Sequence, residues 1–145
     1  ESRPHPAGDA VLKEVAALMQ NELRLYDVPL RLSSEEPSRL QAEIDHYNVA
    51  GRYGGDEFIM IVPHCDADGA KQVAKRIHAG FQKMKFPDYP DLAVTPSIGI
   101  CALDTDVKCD DCGELIKCAD KALYLSKDKG RNSLTALHFG RETKA

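Results

Sequence analysis

The fold is decided by the stretch Tyr47-Asn48-Val49-Ala50-Gly51-Arg52-Tyr53-Gly54-Gly55-Asp56-Glu57-Phe58-Ile59-Met60-Ile61-Val62-Pro63. Residues 47–53 and 58–63 are rich in β-branched, aromatic and other apolar side chains, which favour extended backbone. Between them lies a pair of glycines, which adopt the positive φ angles of a tight turn without steric cost. The stretch therefore predicts a β-hairpin with Asp56 and Glu57 at its tip.

Three helices and two further strands are predicted around the hairpin from the spacing of apolar residues and from β-prone runs. The helices are expected at 10–26, 66–85 and 112–127, and the strands at 92–103 and 133–139. Pro96 requires an edge, bulge or strand-start position. The order helix, hairpin, helix, strand, helix, strand predicts an α+β fold in which helices are layered on a sheet.

Composition limits the class of protein. A chain of 145 residues with 43% hydrophobic and 29% charged residues is typical of one globular domain. The net charge of −4 gives no general attraction to a nucleic acid polymer. The longest apolar run, 58–62, is far too short to cross a bilayer, and no signal peptide is recognised. Segment 27–46 is acidic and contains two prolines, so it is expected to be a surface insertion.

The five cysteines are an odd number without a secretory signal, which favours reduced thiols in a cytoplasmic domain. Cys109, Cys112 and Cys118 are clustered, and a tetrahedral zinc would need a fourth ligand from elsewhere. Ordinary thiols are the preferred interpretation, and a structural metal is the alternative. The histidines show no ligand spacing, so surface or packing roles are expected for His5, His46, His64, His78 and His138.

Two parts of the sequence point to chemistry. The hairpin tip places two carboxylates beside two glycines, Gly54 and Gly55. Carboxylates suit a hard divalent cation, and glycine backbone lets a phosphate approach closely. The alternative is an ordinary hairpin whose acidic side chains are solvated. Residues 117–131 carry five basic residues against two acidic ones, which suits a small anionic ligand. Within this segment Lys127 and Arg131 lie four apart at a helix end, where they could reach one phosphate or simply be solvated.

The motif Arg52-Tyr53-Gly54-Gly55-Asp56-Glu57-Phe58 resembles the signature of the GGDEF family, the diguanylate cyclases that join two GTP molecules into cyclic di-GMP. Further matches stand in family order: His5-Pro6-Ala7-Gly8-Asp9 with Val11-Leu12, Ser97-Ile98-Gly99-Ile100, Ala119-Asp120-Lys121-Ala122-Leu123-Tyr124 and Lys127-Asp128-Lys129-Gly130-Arg131-Asn132. The resemblance covers nearly all of 1–145 as a single GGDEF domain. It implies the palm-like fold of nucleotide cyclases, with a central, mostly antiparallel sheet flanked by helices.

The same resemblance implies residue roles at the hairpin. Asp56 would be a catalytic ligand of Mg2+ or Mn2+, and Glu57 would assist with the metal or activate the 3′-hydroxyl. Gly54 and Gly55 would lie against the nucleotide, and Arg52 would contact phosphate more loosely.

Outside the hairpin, the resemblance assigns further substrate-binding residues. Lys127 and Arg131 would bind the phosphates of GTP. Asp9 would read the guanine edge and Leu12 would pack on the base, whereas Asp9 by itself is typical of a helix N-cap. The stretches 97–100 and 119–124 are expected to serve packing rather than chemistry.

The resemblance also implies partners. Each monomer would hold one GTP in a homodimer, and an upstream sensor or receiver domain would regulate it, without membrane contact by this domain. The location would be cytoplasmic, either alone or as the cytoplasmic part of a larger sensor protein. The chain begins just after the place of the family's first strand, which carries a second metal-binding carboxylate. A degenerate module that binds GTP or cyclic di-GMP, or only dimerises, is the alternative.

Overall fold

The computed structural model describes residues 6–24 and 49–141. The helices are α1 (Pro6–Arg24), α2 (Ala67–Lys83) and α3 (Cys112–Asp128), and the strands are β1 (Val49–Gly54), β2 (Glu57–Ile61), β3 (Ile98–Ala102) and β4 (Leu134–His138). This order confirms the predicted α+β class. The expected insertion at 27–46 lies outside the described residues. None of the described helices combines the length and the apolar character needed to cross a bilayer.

Two helix starts show how local chemistry sets the boundaries. Helix α1 begins at Pro6, so Asp9 lies in its first turn, and the interpretation of Asp9 as the N-cap is wrong. Proline is favoured at a first helical position because its missing N–H would have no intrahelical partner there. Helix α2 follows Asp66, whose Oδ1 accepts a hydrogen bond from Gly69 N at 2.7 Å and acts as a cap.

The hairpin is confirmed as an antiparallel pair of β1 and β2. Val49 pairs with Ile61 and Arg52 pairs with Phe58, but Gly54 pairs with Glu57, so Tyr53 is an extra residue in a bulge. A bulge of this kind increases the local twist and redirects the strand end. The bulge therefore lies directly before the 55–56 turn, which carries Asp56 and is followed by Glu57.

Strands β3 and β4 pair in parallel, from Ile98 with Leu134 to Ala102 with His138. The strands are joined by α3, and a helical crossover returns the chain to the same end of the sheet, which makes parallel pairing possible. The sheet is therefore not strictly the central antiparallel one that was expected, since the described strands form one antiparallel and one parallel pair. Residues 92–97, with Pro96, precede β3 rather than forming part of it.

Contacts divide the chain into two compact units. The first holds α1, β1, β2 and the segment Met84–Leu92, and the second holds α2, β3, α3 and β4. In the first unit, α1 lies against β1. Its buried side chains Val15, Met19 and Leu23 recur every four residues, which places them on one helix face.

In the second unit, α3 packs very closely on β3 at Gly99. A Cβ added there would lie 2.7 Å from the Cα of Leu123, and closer still to Leu123 N and Ala119 O. One turn along, the fully buried Ser126 donates from Oγ to the Ile98 carbonyl at 2.8 Å. The packing role expected for residues 97–100 is thus confirmed.

A disulfide joins Cys101 of β3 to Cys118 of α3, with their Cα atoms 5.6 Å apart. The expectation that all cysteines are reduced is wrong for this pair, because helix packing brings together two residues 17 apart in sequence. Pairing of Cys118 also removes it from the sequence cluster considered for zinc. Cys65, Cys109 and Cys112 are free thiols.

Candidate functional site

The hairpin tip is exposed at Gly55, Asp56 and Glu57. Asp56 lies in the turn and Glu57 is the first residue of β2, and both side chains are exposed. Gly55 is exposed as well, and no atom of the described residues would lie within 4 Å of a Cβ added to it. At Gly54 the nearest such atom is Glu57 Oε2 at 4.0 Å. Within the described residues, nothing therefore crowds the backbone of either glycine.

The reason expected for the paired glycines is wrong. Neither Gly54 nor Gly55 adopts the positive φ that favours glycine, and neither is crowded by the described part of the chain. The bulge at Tyr53 provides the irregularity that closes the hairpin. Among the described residues, neither backbone conformation nor crowding therefore requires glycine at these two positions.

The Arg52 side chain is hydrogen-bonded to the backbone of the turn. Its Nε and Nη2 both donate to the Gly55 carbonyl, at 3.0 and 2.7 Å. These bonds use two of the five N–H donors of the guanidinium, so the remaining donors could still meet a phosphate. The structure thus gives Arg52 a role that its sequence position did not suggest, which is to fix the carbonyl next to Asp56.

The two predicted base-recognition residues lie on α1, in the same unit as the hairpin. Asp9 is exposed in the first helical turn, and Leu12 is half-buried three residues later. Residues three apart lie on the same side of a helix. The arrangement offers a carboxylate acceptor beside an apolar surface, which is the combination needed to bind the polar edge and the face of a purine.

Lys127 and Arg131 both belong to the second unit. Lys127 lies in the last turn of α3, whereas Arg131 lies beyond the helix, so helical spacing does not relate the two residues. Gly130 ends the helix with φ 104°, as expected, and Arg131 and Asn132 also have positive φ, at 63° and 46°. Left-handed backbone is uncommon at a residue with a Cβ such as Arg131, so surrounding contacts must hold the 130–132 turn in this conformation.

The 130–132 turn involves a residue that sequence reasoning assigned only a packing or surface role. His78, on α2, donates from Nε2 to the Asn132 carbonyl at 3.2 Å. The two residues are 54 apart in sequence, and no motif links them. The sequence Gly130-Arg131-Asn132 at the helix end does signal left-handed backbone at Asn132, because asparagine tolerates it better than most residues, but it does not identify His78 as the partner.

The hairpin carboxylates suit a hard cation by their chemistry. Mg2+ is commonly bound by one or two carboxylates together with substrate phosphates, and Asp56 and Glu57 supply two such groups at an exposed tip. Residues adjacent on extended backbone point in different directions, which limits how far both can converge on one ion. Within 6–24 and 49–141, no group of three or more His, Cys, Asp or Glu side chains is arranged to hold a metal.

Comparison with known proteins gives a consistent result. The family described as "Diguanylate cyclase, GGDEF domain" matches residues 37–133. The chain is 33% identical over 132 residues to Diguanylate cyclase A of Treponema denticola, covering 90% of this chain and 29% of that protein. It is 34% identical over 94 residues to Probable diguanylate cyclase DgcC of Escherichia coli K12, covering 65% of the chain and 25% of that protein.

A third relative extends the match over a longer part of the chain. The chain is 32% identical over 136 residues to Probable diguanylate cyclase DgcE of Escherichia coli K12, which covers 93% of this chain and 10% of that protein. The chain therefore spans less than a third of the length of each of these relatives.

Proposed function

Since the chain belongs to the GGDEF domain family of diguanylate cyclases, we propose that it is a catalytic domain that condenses two GTP molecules into cyclic di-GMP with release of two pyrophosphates. The observation that carries the proposal is the open two-glycine turn beside Asp56 and Glu57. Within the part of the chain that the structure describes, neither backbone conformation nor crowding requires glycine at these positions, whereas a nucleotide lying against the main chain would.

In the proposed reaction, the 3′-oxygen of one GTP attacks the α-phosphorus of the other in line, and pyrophosphate leaves. Asp56 and Glu57 would hold a Mg2+ or Mn2+ ion, which neutralises charge on the attacking and leaving oxygens when bound. Glu57 would also accept the proton of the 3′-hydroxyl. Most of the rate would come from positioning and charge neutralisation.

The remaining proposed contacts divide between base and phosphates. Asp9 accepts hydrogen bonds from the guanine N1–H and exocyclic amine, and Leu12 packs on the base. Lys127 and Arg131 bind phosphate oxygens, with the planar guanidinium able to do so through two parallel bonds. Gly54 and Gly55 allow close approach, and Arg52 holds the turn and offers its remaining donors.

The proposal extends to the assembly. One domain would hold one GTP, so turnover requires a homodimer that brings two domains together. The much greater length of the relatives supports an additional regulatory domain, which we propose to be an upstream sensor or receiver domain. Because GTP is the substrate, we propose a cytoplasmic location for the domain, and we propose that 1–145 forms a single GGDEF domain with its insertion at 27–46.

The test is to incubate the complete protein with GTP and Mg2+ and to identify products by anion-exchange chromatography. Cyclic di-GMP should form with the unmodified protein and with the matched control Asp88→Ala, which removes an exposed aspartate outside the hairpin. It should not form with Asp56→Ala, whose fold is expected to be intact because the side chain is exposed. Binding of GTP without product would favour a non-catalytic binding module, and absence of both would overturn the proposal.

A further inference from the structure

The turn that carries Arg131 has left-handed backbone at two consecutive residues that carry a Cβ, Arg131 and Asn132. Gly130, Arg131 and Asn132 follow one another with φ of 104°, 63° and 46°. For a residue with a Cβ, left-handed backbone is unfavourable, and consecutive left-handed residues compound the cost. Such a conformation persists only where surrounding contacts hold it.

One end of the turn is held by the core of the second unit. The Ser133 hydroxyl donates to the Ser126 carbonyl at 2.9 Å, and Ile98 N donates to the Ser133 carbonyl at 2.9 Å. Ser126 itself is fully buried and bonded to β3. The other end is tied to α3, since Gly130 N donates to the Lys127 carbonyl at 3.2 Å. Both ends are therefore anchored by α3 and β3.

The last residue of the turn, Asn132, is also held from a different element. His78 of α2 donates from Nε2 to the Asn132 carbonyl at 3.2 Å, and this bond is exposed rather than buried. An exposed hydrogen bond adds little to the stability of the whole fold, because water can replace either partner. Its effect falls on the local conformation of the turn.

We infer that His78 is a positioning residue that fixes the 130–132 turn and thereby presents the Arg131 guanidinium to the phosphates of the substrate. The inference rests on the proposed function for the role of Arg131, which is exposed. His78 itself touches neither substrate nor metal in this scheme. Without its bond, the turn can relax toward right-handed backbone, and the arginine then samples directions that do not meet the phosphate.

The experiment measures GTP binding by titration calorimetry in the complete protein with His78→Ala, His78→Gln and His138→Ala. His78→Ala should weaken GTP binding by about fivefold. This loss is smaller than the loss expected from removing the charge-assisted bond between Arg131 and the phosphate, because Arg131 is still present. His78→Gln should restore affinity to within about twofold, because the Gln amide nitrogen can donate to the same carbonyl. The matched control His138→Ala should bind GTP normally, since it removes a histidine of the same unit that is bonded instead to Asp104.

A double-mutant cycle shows whether His78 acts through Arg131. In an Arg131→Ala background, His78→Ala should cause no further loss, because the group that it positions is gone. Equal and additive losses in the two backgrounds would overturn the inference, as would unchanged GTP affinity of His78→Ala. In proteins with measurable turnover, the loss should appear in KM with kcat nearly unchanged.

Failure of the proposed function is distinguishable from failure of this inference. If the unmodified protein binds no GTP, the proposed function fails, and the backbone is then examined by NMR. In His78→Ala, the Cα and Cβ chemical shifts of Arg131 and Asn132 should move toward the values typical of right-handed backbone. In His78→Gln, these shifts should stay at the values of the unmodified protein. Unchanged shifts in His78→Ala would overturn the positioning role.

Discussion

Replacing Gly99 by alanine forces α3 away from β3 and tests how much their close approach contributes to the free energy of unfolding. The added Cβ would lie 2.7 Å from Leu123 Cα and closer to two backbone atoms of the helix. Ordinary carbon contacts need about 3.5 Å, so the helix must retreat by roughly 1 Å. The obstacle is helix backbone, which cannot change rotamer, so the cost should reach the upper part of the range for overpacking, about 3 kcal/mol.

The retreat has a second cost at Ser126. Its hydroxyl bond to Ile98 would lengthen, and a weakened bond of this kind adds about 1 kcal/mol. The total of about 4 kcal/mol corresponds to a fall in Tm of roughly 8–16 °C for a chain of this size. GTP affinity should fall as well, since Lys127 moves with the helix.

Thermal unfolding followed by circular dichroism measures the effect, with urea titration as an independent value of the free energy of unfolding. Gly51→Ala is the matched control, because Gly51 is also a strand glycine and no described atom would lie within 4 Å of its Cβ. The control should change stability by less than about 1 kcal/mol. A Gly99→Ala protein as stable as the control would refute the close packing of α3 on β3.

Three further predictions concern charge and sulfur. Lys127→Ala and Arg131→Ala should each weaken GTP binding by about 1–3 kcal/mol, measured by calorimetry, and unchanged affinity in both would contradict their phosphate role. The pKa of the Cys65 thiol is raised, first by burial and second by the carboxylate of the next residue, so less thiolate is present at a given pH. Its alkylation by iodoacetamide, followed by mass spectrometry, should therefore reach half its maximal rate at a higher pH than that of a model cysteine peptide, and an equal or lower midpoint would count against this. Reducing the Cys101–Cys118 disulfide should cost about 3 kcal/mol for a loop of this length and lower Tm, and a Tm unaffected by reductant would oppose it.

The elements were predictable because their signals are local. The hairpin followed from two β-prone runs around a glycine pair, and α3 followed from apolar spacing and from Gly130 at its end. Boundaries were less predictable. The start of α1 at Pro6 depended on a proline that also suits a loop, and Pro96 shortened β3 to Ile98–Ala102.

The features that were missed depend on contacts between distant residues. The Cys101–Cys118 bond requires knowledge that α3 packs on β3, and the bond from His78 to Asn132 joins residues 54 apart. Periodicity gives the face of a helix but not its neighbour, so neither pairing could be inferred. For the candidate site, the motif identified the residue types. The hydrogen bonds from Arg52 to the Gly55 carbonyl could be found only from the structure.

The Cys101–Cys118 bond also fixes how far the polypeptide can be extended. The two residues are separated by 17 positions, and an extended chain of that length spans about 60 Å, whereas the bonded Cα atoms are 5.6 Å apart. A molecule pulled from its two ends therefore gains about 55 Å less contour length when the bond is intact. Most of α3 lies outside the closed loop, so force applied to the chain peels the C-terminal turns of that helix while the segment between the two cysteines carries no tension.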